Sequence, residues 1–191
     1  MADGSLFRTW TICIAGGSEM FTGSAELYAA SYGAFKDYRA EASKVAALVR
    51  SVRPDARSLL DVACGTGEHA RFLSLEHGFE VAGLDLDPGL LAVARRKLPS
   101  ARLHEADMAE FSIPDRFDAV TCLFSSIGYV RTLDRVKLAL RRFRDHLTPN
   151  GVVILEPWFA PGVLRVGETS IRTAEIGGVR AAWNQDVFLG L

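Results

Sequence analysis

The residues best suited to chemistry in this 191-residue sequence fall in one run, Asp61-Val62-Ala63-Cys64-Gly65-Thr66-Gly67-Glu68-His69-Ala70. Glycines placed directly after a strand let the backbone turn tightly and approach a ligand, and the following helix offers free N–H groups. Gly65-x-Gly67-x-x-Ala70 also fits the dinucleotide fingerprint, so on the glycines alone an NAD-binding oxidoreductase is open. Three carboxylates narrow the choice. Asp61 stands at the strand end, where it can receive an ammonium directly or through water. Asp85 closes the next strand, where a carboxylate can take both hydroxyls of a ribose, a device that nicotinamide enzymes share. Asp107, in Glu105-Ala106-Asp107-Met108, can accept from an adenine amino group, with Met108 as apolar ring neighbour and backbone donor. Each acid alone also reads as an N-cap or a solvated loop. Three acids at three successive strand ends point instead to an adenosine with an amino-acid arm, S-adenosylmethionine (SAM).

These positions need a scaffold, and the hydrophobic pattern supplies one. Ser58–Ala63, Glu80–Leu84, Ala101–Glu105, Phe117–Phe124 and Val152–Leu155 read as five short apolar strands. Helices are expected from Ser24 to Gly33, from Lys36 to Val52, from Gly67 to about His77, from Gly89 to Lys97 and from Leu133 to Leu147. The second carries an apolar stripe of Tyr38, Ala42, Val45, Leu48 and Val49, and Asp87-Pro88 opens the fourth as N-cap and first turn. Pro149-Asn150-Gly151 reads as a turn, and Thr169–Thr173 with Val179–Val187 as a hairpin around Gly177-Gly178. Continuous apolar strands separated by helices predict an α/β fold, a mostly parallel sheet covered on both faces.

Composition bounds the rest. With 49% hydrophobic residues, the chain can bury one domain-sized core. A net charge of −1 argues against bulk binding of a phosphate backbone, so no nucleic-acid partner is expected. The basic run Arg141-Arg142-Phe143-Arg144 sits in a helical pattern and reads as a solvated face. Cys13, Cys64 and Cys122 are odd in number and widely spaced, which suits free thiols in a reducing compartment. No apolar run is long enough for a bilayer, and Trp10–Ala15 is too short for a signal peptide, so the expected location is cytoplasmic without membrane attachment. No residue group has metal-ligand spacing. His69, His104 and His146 read as caps or solvated loop residues.

Leu59–Gly67, Gly83-Leu84-Asp85, Ala106-Asp107-Met108 and Phe117-Asp118-Ala119-Val120 resemble the class I SAM-dependent methyltransferases, whose fold is Rossmann-like. Cys122–Tyr129 and Val153–Trp158 are similar to the branch containing N,N-dimethyltransferases of nucleotide-linked amino sugars, as is Lys36-Asp37-Tyr38. The resemblance implies a cofactor site of Tyr38, Asp61, Ala63, Gly65, Gly67, Asp85, Leu86, Asp107, Met108 and Phe124. Gly65 and Gly67 would follow the methionine arm, Asp85 the ribose, and Asp107 with Met108 the adenine. Tyr38 reads equally as a half-buried core aromatic, and Ser125 and Ser126 equally as a helix N-cap. The acceptor would be a small molecule. An amine must attack unprotonated, and Glu156 and Tyr129 are the candidates to move its proton, with a structural salt bridge the other reading of Glu156.

Two departures qualify the resemblance. Phe21 stands where related amino-sugar enzymes tend to carry a tyrosine. Nothing after Phe159 reads as the closing helix and antiparallel strands of the class, so the chain looks C-terminally truncated. The expected organisation is a loose extension over 1–19, a SAM-binding domain over 20–159 and the start of a substrate-covering β insertion over 160–191. Val152–Leu155 should then keep an open edge, able to form a homo-oligomer. A SAM-binding protein without catalysis is the second functional reading.

Overall fold

A computed structural model describes the backbone of residues 6–13, 25, 36–156, 169–176 and 179–189, and the side chains of 25 and 36–156. The helix expected from Ser24 to Gly33 lies outside the described residues apart from Ala25, as do Phe21 and Pro157 to Phe159. The strands are β1 (Leu6–Cys13), β2 (Ser58–Val62), β3 (Glu80–Asp85), β4 (Arg102–Glu105), β5 (Phe117–Cys122), β6 (Leu147–Leu155), β7 (Thr169–Ile176) and β8 (Val179–Leu189). The helices are α1 (Tyr38–Val52), α2 (Glu68–Leu75), α3 (Pro88–Lys97) and α4 (Leu133–Asp145), with a 3₁₀ turn at Ser126–Val130.

Five strands form one parallel sheet in the order β4-β3-β2-β5-β6. The chain leaves β2 toward one edge through β3 and β4, then returns to the other side of β2 with β5 and β6. Side chains alternate along each strand, so β2 sends Leu59 to one face and Leu60 and Val62 to the other. Leu59 packs with Ala119, Leu123, Leu73 and the α1 stripe. Leu60 and Val62 pack with Val120, Cys122, Phe111, Ala139 and Phe143. Both faces are therefore covered, as a parallel sheet requires.

The helices start where the sequence puts polar caps. Asp37 accepts from the Ala40 N–H at 2.9 Å to open α1. Asp87 accepts from Gly89 and Leu90 at 2.7 and 3.1 Å to open α3, with Pro88 at its first position. In α1 the buried set is Ala42, Val45, Ala46 and Val49, a clean i, i+3, i+4, i+7 stripe. Leu48, expected on it, is 54% exposed because it lies one step around the helix. In α4, Phe143 is fully buried while Arg141 and Arg144 point outward.

Two boundaries differ from expectation. β6 begins at Leu147, so Pro149-Asn150-Gly151 is a bulge within the strand and not a turn before it. Phe117 pairs Leu147, the register then slips, and Ala119 pairs Val152. Asn150 absorbs the bend at φ +61°. Leu6–Cys13, expected to be loose, is a strand antiparallel to β8, which also pairs β7 in a second sheet of order β1-β8-β7. Its Phe, Thr, Trp and Ile content favours extended backbone once a partner is present. Thr9–Cys13, rich in strand formers, pairs β8 and not the outer edge of β6. Among the described residues, β6 is the edge of its sheet.

Candidate active site

In an open parallel sheet, ligands bind beyond the carboxyl ends of the strands where the order reverses. That point here is between β2 and β5. Asp61, in the last turn of β2, is 2% exposed, and its Oδ1 accepts from the Thr121 hydroxyl of β5 at 2.8 Å. Burial raises its carboxyl above the ordinary range and the Asp85 charge adds to this, opposed by His69 and the Thr121 hydrogen bond.

After β2 the chain turns through three left-handed residues, Ala63 (φ +57°), Gly65 (φ +56°) and Gly67 (φ +76°). Cys64 N–H donates to the Leu84 carbonyl at 3.0 Å, and Gly67 N–H to the Cys64 carbonyl at 2.9 Å. Gly65 N–H donates to Asp85 Oδ2 at 2.7 Å, and Asp87 N–H to Asp85 Oδ1 at 3.0 Å. Burial raises the Asp85 carboxyl despite these donors. The two glycines do different work. A Cβ on Gly67 would stand 2.9 Å from Leu98 Cδ1 and 3.3 Å from Ala94 Cβ, so this glycine lets α3 approach. A Cβ on Gly65 would meet nothing within 4 Å. Open space beside a tight, polar, acid-backed turn is what a cofactor's backbone-hugging arm requires.

The rim is apolar and uncovered. Leu86 is 67% and Tyr129 65% exposed. Tyr129 belongs to the 3₁₀ turn after β5; desolvation, and then the Asp85 charge, push its phenol above its ordinary pKa. Ala106 N–H donates to the Asp85 carbonyl at 2.9 Å and draws the next loop against β3. One residue on, Asp107 is held at both oxygens: Ala109 N–H donates to Oδ1 at 2.8 Å and Arg135 Nη2 to Oδ2 at 2.6 Å. Met108 beside it is half-buried against the core.

On the other side of the crevice, two residues past the end of β5, come two consecutive left-handed residues, Phe124 (φ +54°) and Ser125 (φ +59°). Glu156, just past β6, clamps them: Phe124 N–H donates to Glu156 Oε2 at 2.7 Å, and Glu156 N–H to the Cys122 carbonyl at 3.0 Å. Glu156 thus makes a backbone contact where a salt bridge was the alternative. Above Phe124 lies Lys36, with Nζ 3.7 Å from the ring centroid and a side chain only 7% exposed. The same ammonium is 2.9 Å from Glu41 Oε2, which is 2.7 Å from His69 Nε2. Tyr38 sets its ring edge-on to His69 at 4.9 Å.

The expected residues therefore gather in three groups. Asp61, Ala63, Gly65, Gly67 and Asp85 share one hydrogen-bonded turn, with Leu86 at its lip. Asp107 and Met108 stand one strand further out. Phe124, Glu156 and Tyr38 stand across the switch point, and Tyr129 is exposed in the 3₁₀ turn that follows. Sequence reasoning missed Lys36 as a buried cation, Glu41, Thr121 and Arg135. It also read His69 as a cap or solvated residue, whereas His69 is 8% exposed and bonded to α1. His146 does cap α4: Nδ1 donates to the Arg142 carbonyl at 2.6 Å and Nε2 accepts from Ile113 N–H at 3.1 Å. His104 lies within β4, with a buried Nε2. Among the described residues no group of His, Cys, Asp or Glu could hold a metal ion, and no helix is long and apolar enough to cross a membrane.

Comparison with known proteins agrees with this geometry. The family model described as a methyltransferase domain matches residues 59–151. Over 155 residues the chain is 50% identical to a dTDP-3-amino-3,6-dideoxy-alpha-D-glucopyranose N,N-dimethyltransferase of Streptomyces fradiae, covering 81% of this chain and 60% of the relative's length. The crystal structure of Streptomyces venezuelae DesVI superposes with a TM-score of 0.75 at 42% identity, covering 87% of this chain and 69% of that one. SAM-bound CalS10, an amino pentose methyltransferase from Micromonospora echinaspora, gives a TM-score of 0.74 at 40% identity, covering 82% of this chain and 66% of that one.

Proposed function

Because the chain belongs to the class I SAM-dependent methyltransferases, we propose that it binds SAM at the β2–β5 switch point and methylates the amine of a nucleotide-linked amino sugar. The observation that carries the reading is the Gly65 turn: open at its α-carbon and bonded to Asp85, in a chain half-identical to an amino-sugar N,N-dimethyltransferase. The family membership sets the nicotinamide alternative aside. SAM supplies, when bound, a methyl group already activated on a sulfonium.

The chain's own residues then have mostly positioning to do. Asp61 takes the ammonium end, with Tyr38 near the carboxylate. Ala63, Gly65 and Gly67 give the arm a close backbone. Asp85 accepts from the ribose hydroxyls, Leu86 covers the sugar, and Asp107 with Met108 receives the adenine. Phe124, held by Glu156 and Lys36, walls the sulfonium region and excludes water. The acceptor's proton leaves through Glu156 or Tyr129. Glu156 has a second oxygen beyond the one bonded to Phe124, and the Tyr129 phenol is exposed.

In this reading residues 20–159 are the SAM-binding domain, 160–191 begin a substrate-covering insertion, and 1–19 are an N-terminal extension whose Leu6–Cys13 pairs β8. The widely spaced thiols support a cytoplasmic setting. The acceptor class is tested by turnover with SAM and a panel of dTDP-amino sugars. Methylated product from a 3-amino sugar is expected. SAM binding without product from any amine would favour the second reading, a SAM-binding chain without catalysis, which the edge position of β6 among the described residues supports.

A further inference from the structure

Arg135 stands in the first turn of α4, its N–H on the Thr132 hydroxyl at 3.3 Å. Its guanidinium forks across the sheet edge: Nη2 is 2.6 Å from Asp107 Oδ2 and Nη1 is 3.1 Å from Glu110 Oε1. The two arms are unequal. Glu110 is 68% exposed and its pair is screened by solvent, whereas the Asp107 side chain is 29% exposed. With Ala109 N–H on the other oxygen, the Asp107 carboxylate has no freedom to rotate without giving up a charge-assisted bond.

We propose that Arg135 is a positioning residue for base selection: it locks the Asp107 carboxylate in the orientation that accepts a 6-amino group and repels a 6-oxo group. The inference rests on the adenine reading of Asp107 given above. A carboxylate is an acceptor only, so a 6-oxo purine brings a second acceptor against it. The penalty holds only while the carboxylate cannot swing away into water, and holding it is what the arginine does. A lysine would keep the charge but not the planar fork.

The test is calorimetric binding of S-adenosylhomocysteine and S-inosylhomocysteine to the full chain and to Arg135→Met, Arg135→Lys and Glu110→Gln, with thermal melts alongside. Wild type and Glu110→Gln should prefer the adenosine ligand by about tenfold or more, and Arg135→Met by about threefold or less, with Arg135→Lys between them. Arg135→Met retaining the wild-type ratio overturns the proposal. Should Arg135→Met fail to fold, Arg135→Lys carries the test, and a wild-type ratio there overturns it equally. Wild-type protein that binds both ligands alike removes the adenine role of Asp107, and wild-type protein that binds neither removes the SAM reading; the proposal falls with either.

Discussion

His69 Nε2 lies 2.7 Å from Glu41 Oε2, tying the first turn of α2 to the first turn of α1 directly beside the Gly67 loop. Lys36 reaches the same Glu41 oxygen and lies over Phe124, so one carboxylate links the wall of the crevice to its floor. Burial alone would raise the Glu41 carboxyl; the hydrogen bonds from His69 and Lys36 outweigh it and hold it below its ordinary range.

A carboxyl depressed in the folded state stabilises the fold above its unfolded pKa, and that stability is lost as pH falls through the folded value. Glu41→Gln should therefore cost about 0.5–1 kcal/mol at neutral pH, a modest figure because over a third of Glu41 meets solvent. Urea denaturation of both proteins across pH should show the gap closing below about pH 4. A gap that is constant down to acid would exclude the linkage.

The parts that were legible in the sequence share a physical trait: they are local. β2, β3 and β5 announce themselves as apolar runs, and Asp87 caps the helix that begins at the next residue. What escaped depends on distant partners. β1 is extended because β8 pairs with it, a strand near the other end of the chain. The start of β6 was hidden because Pro149-Asn150-Gly151 is turn chemistry that here serves a bulge. In the site, strand ends bring Asp61 and Asp85 to one crevice, as alternation alone implies. Glu41–His69 and Asp107–Arg135 are contacts between helices or loops 28 residues apart, and no periodicity in the sequence encodes them.

The two loop glycines should separate binding from folding. Alanine at Gly65 pays only the left-handed backbone strain, about 1–2 kcal/mol. Its Cβ enters the open space proposed for the methionine arm, so SAM affinity should fall steeply while the protein still melts cooperatively. Alanine at Gly67 adds to the same strain a Cβ 2.9 Å from Leu98 and should lower the melting temperature much further. Equal melting losses, or unchanged SAM affinity in Gly65→Ala, would contradict this division of labour.

Asp85→Ala should weaken SAM binding by about 1–3 kcal/mol, the cost of leaving buried ribose hydroxyls without an acceptor. Burial raises the Asp85 carboxyl in the free protein, while hydroxyl donors favour its ionised form. Binding should then release a proton, and affinity should weaken as pH falls through the raised pKa of the free carboxyl. Calorimetry in buffers of different ionisation heat reads that proton. Undiminished affinity in the alanine variant would remove the ribose role.

Asp118 belongs to the opposite end of the sheet and should matter for stability and not for binding. It accepts from Arg57 and Ser58 N–H at 2.9 and 3.1 Å and from Thr148 Oγ1 at 3.0 Å, and pairs with Arg53 at 2.8 Å. Burial would raise its carboxyl, but these donors prevail and hold it below the usual range. Asp118→Ala should cost about 1–3 kcal/mol at neutral pH, leaving the Arg57 and Ser58 N–H groups without their acceptor. The cost should shrink as pH falls through the depressed value, since the wild-type carboxylate is then lost too. SAM affinity measured well below the melting range should be unchanged; a selective loss of affinity would make Asp118 part of the site.

β5 pairs β6 through Ala119–Cys122 and Val152–Leu155, and among the described residues no strand lies on the other side of β6. A run of Val152-Val153-Ile154-Leu155 offers strong strand formers and one uncharged row of backbone N–H and C=O groups. Such edges take up another strand whenever one is at hand. β1, a natural candidate within this chain, is already paired with β8. The 191-residue chain should therefore self-associate at micromolar concentration through β6. Light scattering should give a mass above that of one chain, and a lysine at Val153 should shift it downward by charging the contact. A monodisperse monomer at high concentration would mean that the edge of β6 is covered by residues outside the described set.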